Sequence, residues 1–183
     1  MIRNETIDII LERRTVRDYT DEKLTGEEIE TILECAKWAA SARNMQPCVV
    51  RCVQDKAFLD EMNTAFKDLV GWDTPAYTNW DKNPFYQNAP CMFFIYAPHN
   101  AAMDGGIMTG NIVTAAKSMG LDTCIIGSIG ALLNDEQGKK WKAMLNIPES
   151  YKFVISIAAG HGAEKPAKKP RNDENFTFIK TGD

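Results

Sequence analysis

A chain of 183 residues has the size of one domain and can bury a sizeable core. Its hydrophobic share of 44% and charged share of 25% are those of an ordinary globular protein, and a net charge of −4 gives no global attraction to nucleic acid or to a membrane surface. No run approaches the ~18 apolar residues a membrane span needs. The five scattered cysteines and two distant histidines have no metal-ligand spacing, so free, buried thiols and a reducing, cytoplasmic setting are expected.

The opening MIRNETIDIILERR carries Ile7, Ile10 and Leu11 at helical spacing, which predicts an amphipathic helix over 5–13 with one buried stripe, not a cleaved leader. Thr25 and Glu28 form a capping-box pattern ahead of a helix over 26–42, whose inner face carries Ile29, Ile32, Leu33 and Ala36. The loop SARNMQP follows, then a short strand from Val49 to Val53. Asp55 is the expected N-cap of a helix reaching Phe66. The stretch 71–90 holds three prolines and five aromatics (Trp72, Tyr77, Trp80, Phe85, Tyr86) without a steady period, the composition of a lid or binding loop.

CMFFIYA, residues 91–97, is apolar throughout and of strand length, as expected for a central strand covered on both faces. A helix over 104–119 should turn Ile107, Met108, Ile112, Val113, Ala116 and Met119 inward and stop at Gly120. Residues 122–127 predict another short strand, Asn134 with Gln137 a capped helix ending before Pro148, and Tyr151 to Ala159 a last core strand. The tail from Gly160 is basic, then polar. No internal repeat or linker divides the chain, so one domain over 1–183 is expected, with 160–183 as an extended tail. About five helices mixed with about four strands make the fold class α+β.

HExxH, the P-loop, GxSxG and GxGxxG are all absent, which removes zinc peptidase, P-loop and α/β-hydrolase chemistry from the expected functions and leaves no metal site. Three local features remain. The run Arg13, Arg14, Thr15, Val16, Arg17 concentrates three guanidiniums and a hydroxyl, donors suited to a phosphate or delocalised anion. A solvated basic patch at a helix C-terminus has the same composition. The tail run Lys168, Lys169, Pro170, Arg171 is a second basic cluster, of a kind that is also common on plain surfaces. Ser41, Asn44 and Gln46 offer small donors and acceptors in the SARNMQP loop, which also serves simply to end a helix.

Together these pieces resemble the nitroreductase family of flavoproteins. RRTVRDY, AKWAASARNMQP, MGLDTCIIGS and GHGAEKPAKKPR match four family motifs in family order, from about residue 10 to 171. The resemblance implies an α/β/α sandwich around a mainly antiparallel sheet, an intertwined homodimer and an FMN at its interface. It implies that Arg13, Arg14, Thr15, Lys169 and Arg171 grip the FMN phosphate and that Arg17 faces the N1 and O2 edge of the ring. Ala40, Ser41, Ala42 and Asn44 would reach in from the other subunit, and Ile126, Gly127 and Ser128 would lie along the ring. No side-chain nucleophile is then required, because the flavin carries the chemistry. The implied activity is reduction of nitroaromatic or quinone-type acceptors by NAD(P)H in two-electron, ping-pong turnover. A non-catalytic FMN store, and a dehalogenase or heterocycle oxidase of the same fold, are the other readings of that resemblance. Ala40 and Cys48 depart from the family's usual proline and tryptophan, and Arg43 adds a charge beside them.

Overall fold

The computed structural model describes residues 1–72, 84–98 and 100–179. Helix α1 (Glu5–Glu12) starts on Asn4, whose side chain accepts from the Ile7 N–H. Helix α2 (Gly26–Lys37) opens with the complete Thr25/Glu28 capping box. Strand β1 (Val49–Val53) leads to α3 (Lys56–Val70), capped by Asp55 through the Phe58 N–H at 3.2 Å. Strand β2 (Cys91–Ala97), helix α4 (Ala102–Ser118) and strand β3 (Asp122–Ile126) follow, with Gly120 taking the left-handed φ of +82° that ends α4. Two short helices, α5 (Gly130–Leu133) and α6 (Lys139–Met144), precede β4 (Lys152–Gly160).

The four strands form one antiparallel sheet in the order β1-β2-β4-β3. Because side chains alternate across a strand, the apolar run of β2 feeds two cores at once. Cys91, Phe93 and Ile95 point into one with Leu24, Ile32, Ile112 and Ile157 beneath α2 and α4. Met92, Phe94 and Tyr96 point into the other with Leu59, Met62, Phe66, Leu132 and Trp141 beneath α3, α5 and α6. Every β2 residue is buried, which gives the α/β/α sandwich expected. Among the described residues no helix is long and apolar enough to cross a membrane.

Several expectations need correction. Helix α2 ends at Lys37, not residue 42, with Trp38 as its C-cap. Helix α3 continues to Val70, one turn past Phe66. The stripe of α1 is not buried: no α1 residue is, and Ile10 is exposed, because α1 packs at the periphery against α4. Ile107 is exposed as well, whereas Ile112, Val113 and Ala116 do face the core. Asn134 and Gln137 do not cap one helix; Asp135 accepts from the Gln137 N–H in a 3-10 turn, and Asn134 is used elsewhere. Of the five thiols, Cys91 and Cys124 are buried and Cys35, Cys48 and Cys52 only partly so. The expected lid falls mostly on 73–83, outside the described residues; Phe85 and Tyr86 at its end are buried in the core.

Candidate functional site

The basic run after α1 is laid along the outer edge of β3. Thr15 forms a parallel bridge with Thr123, and the Val16 N–H donates to the Thr123 carbonyl at 3.1 Å. The run thus joins the sheet near the start of β3, and its continuation 17–20 pairs with 161–164 just past the end of β4. Arg14 turns back on its own helix, with Nη1 donating to the carbonyls of Leu11 (2.9 Å) and Arg13 (2.7 Å). That satisfies carbonyls left open at the helix end and sets a cation at its negative pole. Burial pushes the Cys124 thiol up, and the Arg17 and Arg13 guanidiniums pull against it.

The start of the tail is stitched to the same run. Thr20 N–H donates to His161 O, Ala163 N–H donates to Asp18 O at 2.8 Å, and Tyr19 bridges Gly162. Glu164 Oε1 accepts from the Arg17 backbone N–H at 2.5 Å. The fit is close at Gly162, where an added Cβ would come 2.5 Å from Asp122 Oδ2 and 3.2 Å from Val16. Tyr19, whose hydroxyl donates to Val16 O at 2.7 Å, is buried beneath, and that burial raises its phenol well above the ordinary value. Arg14 and Lys168 line one cleft of about 350 Å³ with Glu12, Lys117, Asp122 and Glu164. The two basic clusters thus meet through Lys168; Lys169 and Arg171 lie farther along the tail and are exposed.

Gly127 is exposed at the end of β3, and its backbone is not left-handed. A Cβ there would meet only Ile155 Cδ1, at 3.4 Å, so packing within the protomer does not demand glycine. Ile126 is buried and its carbonyl accepts from Ser156 Oγ at 2.9 Å, while Ser128 is half-buried. The turn 127–130 is in turn held by β4: Asn134 Nδ2 donates to Phe153 O, the Phe153 N–H donates to Asn134 Oδ1, and Gly130 rests on the Phe153 ring.

The loop with Ala40, Ser41, Ala42 and Asn44 stands elsewhere. It leads into β1, the opposite edge of the sheet, and is pinned to the start of α4 by the Ala42 N–H donating to Asp104 Oδ1 at 3.1 Å. Ser41 Oγ accepts from the Gln46 N–H, and Arg43, Asn44 and Gln46 all take left-handed φ near +50°. Three such residues within four positions store local strain, which commonly accompanies a functional loop. Burial and Asp104 raise the Cys48 thiol beside it. Glu164 and Asp104 carry no role in the sequence analysis, and Asn134 carries a different one, as a helix cap. Glu164 alone had a signal for its role, as a carboxylate inside a basic tail; Asp104 and Asn134 act through contacts 62 and 19 residues away.

The family model described as "Nitroreductase family" matches residues 10–161. An "FMN reductase [NAD(P)H]" of Bacillus subtilis (strain 168) is 28% identical over 194 residues, covering 92% of this chain and 70% of the relative. An "NADPH-flavin oxidoreductase" of Vibrio harveyi is 27% identical over 175 residues, again covering 92% and 70%. Among solved structures, a nitroreductase with bound FMN from Desulfitobacterium hafniense superposes with a TM-score of 0.89 at 26% identity, covering 98% of this chain and 100% of that one. The family model covers most of the chain and the sandwich fold superposes on that of a nitroreductase: the chain belongs to the nitroreductase family.

Proposed function

We propose that this oxidoreductase binds FMN and uses NAD(P)H to reduce nitroaromatic or quinone-type acceptors by two-electron, ping-pong turnover, as a homodimer with the flavin at the subunit interface. When bound, FMN supplies the hydride chemistry, and the protein supplies position and charge. Arg13, Arg14 and Thr15, with Lys169 and Arg171, would bind the phosphate. Of these, Arg14 already has one nitrogen committed to the helix end, so its contribution there is through charge as much as through donors. Arg17 would stand at the N1 and O2 edge of the ring, where a guanidinium favours added negative charge. Its backbone N–H is held by Glu164, which keeps that residue in register.

The observation that carries the reading is Gly127. An exposed glycine that neither its own backbone nor its neighbours require, on the strand whose outer edge carries the basic run, fits a flat group lying against the chain. The second support is an uncovered apolar groove between α1, α2 and α4, lined by Ile9, Ile10, Trp38 and Ala115, with Trp38 79% exposed. Apolar surface of this kind marks an interface. Phe176, Phe178 and Ile179 are likewise exposed on the tail and suit the surface of a second copy. Such a dimer would bring the loop 40–44 of one protomer to the arginine edge of the other.

The test is a visible spectrum of the protein supplied with FMN and titrated anaerobically with NADH, then NADPH. Bleaching that reverses on adding menadione or a nitroaromatic supports the reading, and lack of flavin binding overturns it. Bound flavin that neither nucleotide reduces points to storage. Gly127→Leu sharpens the site assignment. The protein has room for the side chain, so folding should persist while FMN affinity falls roughly tenfold or more, about 1.4 kcal/mol. Unchanged affinity would remove 126–128 from the site.

A further inference from the structure

The five cysteines look scattered in sequence, yet the sheet brings two of them together. Cys52 on β1 is paired with Phe93 on β2, which places Cys91 two residues along on the same face, diagonal to Cys52. Their sulfurs are 3.3 Å apart. Cys91 is fully buried, whereas Cys52 is part-exposed on a strand with no outer neighbour among the described residues. The flavin reading gives this pair no role, since the arginine run lies at the opposite edge of the sheet.

We propose that Cys52 and Cys91 form a peroxide-reactive dithiol, with Cys52 the attacking and Cys91 the resolving residue, that closes reversibly to a disulfide. The Cys52 thiolate attacks one oxygen of hydrogen peroxide; the O–O bond breaks, and the departing hydroxide takes up a proton as water. Cys52 is then a sulfenic acid. The Cys91 sulfur attacks the Cys52 sulfur, the S–O bond breaks, and the second hydroxide leaves as water with the Cys91 proton. Two thiols and one peroxide give one disulfide and two waters, and a dithiol reductant reverses the oxidation.

The asymmetry of the pair sets these roles. A peroxide molecule reaches Cys52 from solvent but not Cys91, and only a sulfur already in contact resolves a sulfenic acid before a second peroxide does. A hydrogen bond from the Cys91 thiol holds the Cys52 thiol below its ordinary value against the effect of burial, and the same bond with burial pushes Cys91 up. Bridging requires the sulfurs to close by about 1.3 Å, to an S–S bond near 2.05 Å. The ladder supplies the give, because its last pair is Val53 with Met92 and Cys91 has no partner opposite it on the edge strand. The bridge would tie the two ends of residues 53–90, a segment that includes α3 and the expected lid.

The experiment treats the full-length protein, loaded with FMN, with stoichiometric hydrogen peroxide, quenches with an alkylating agent and maps peptides without reduction. The expected product is a dithiothreitol-sensitive link between the Cys52 and Cys91 peptides, two hydrogens lighter than the separate peptides. In Cys91→Ser, a sulfenic acid should accumulate on Cys52 and be captured by dimedone several-fold more than in the wild type. In Cys52→Ser, a substitution at a part-exposed edge that leaves the core intact, the link should vanish and Cys91 should stay unmodified. Oxidation confined to Cys35 or Cys48, or a wild-type Cys52 that overoxidises without linking to Cys91, would overturn the proposal. So would a Cys52→Ser protein in which Cys91 is oxidised at the wild-type rate.

Discussion

Asn134→Ala removes a side chain that substitutes for a missing strand. Strand β3 covers β4 only from Ser156 to Gly160, so the backbone of Phe153 has no strand neighbour on that side. Asn134 fills the gap with one donor and one acceptor, to Phe153 O at 3.2 Å and from Phe153 N at 2.9 Å. Phe153 is 6% exposed, so water cannot readily take over. Two hydrogen bonds at about 1 kcal/mol each, plus the desolvation left at two buried groups, give a loss of about 2–4 kcal/mol. For a chain of this size that lowers Tm by roughly 5–15 °C. Asn134→Asp keeps the acceptor but sets a carboxylate against Phe153 O, so it should be no better than alanine at neutral pH. Thermal unfolding followed by circular dichroism measures both. An alanine variant within about 1 kcal/mol of the wild type, or an aspartate variant equal to it, would refute the clasp. Because Gly130 rests on the Phe153 ring, the same change should also loosen the 127–130 turn and weaken flavin retention.

Tyr96 is fully buried and its hydroxyl has no hydrogen-bond partner among the described residues, so Tyr96→Phe should stabilise the protein by roughly 1 kcal/mol at pH 7, read from denaturant unfolding. Burial raises the Tyr96 phenol above its ordinary value, as it does for Tyr19. The unfolded chain therefore releases these protons near pH 10 while the folded one keeps them. Stability is flat in this respect below pH 10 and falls above it, by about 1.4 kcal/mol per pH unit for each tyrosine. Tyr96→Phe should remove one tyrosine's share of that slope, and an unchanged slope between pH 10 and 11 would contradict the assignment. Trp38→Glu should leave unfolding within about 1 kcal/mol of the wild type, since the ring is solvent-facing. It should also convert the dimer to a monomer with reduced FMN retention, seen by light scattering on a sizing column; a stable dimer would discard the groove as the interface.

What the sequence made legible was whatever rests on local pattern. The Thr25 capping box, the Asp55 cap, the doubly buried run 91–97 and the left-handed stop at Gly120 need only neighbours in the chain, and each stands as expected. The errors fall where a distant partner decides. Ile7, Ile10 and Leu11 make a correct amphipathic period, but periodicity does not say what covers a stripe, and among the described residues the stripe is at most half-buried. Ile107 was assigned inward for the same reason. Asn134 carries a capping signature, yet its side chain satisfies a strand 19 residues away. The cysteine spacing concealed the contact between Cys52 and Cys91, because register between two strands is not written in the spacing along one chain. For the candidate site, the residue types were legible as motifs, whereas the buttresses Glu164 and Asp104 were not.

The distribution of those site residues over the sheet carries the argument for a second copy. The arginine run and 126–128 belong to the β3 edge, and the loop 40–44 leads into the β1 edge. Three strand spacings separate the edges, about 14 Å, before the flanking segments are added. A twofold pair removes the difficulty, because an isologous interface applies each contact twice. If the β1-side loop of one protomer meets the β3 edge of the other, the reverse contact follows by symmetry, and two equivalent sites form together. The uncovered groove between α1, α2 and α4 and the apolar residues at the end of the tail would be buried in the same event. Flavin affinity and dimer affinity are then one linked equilibrium, so dilution should release FMN and excess FMN should restore the dimer.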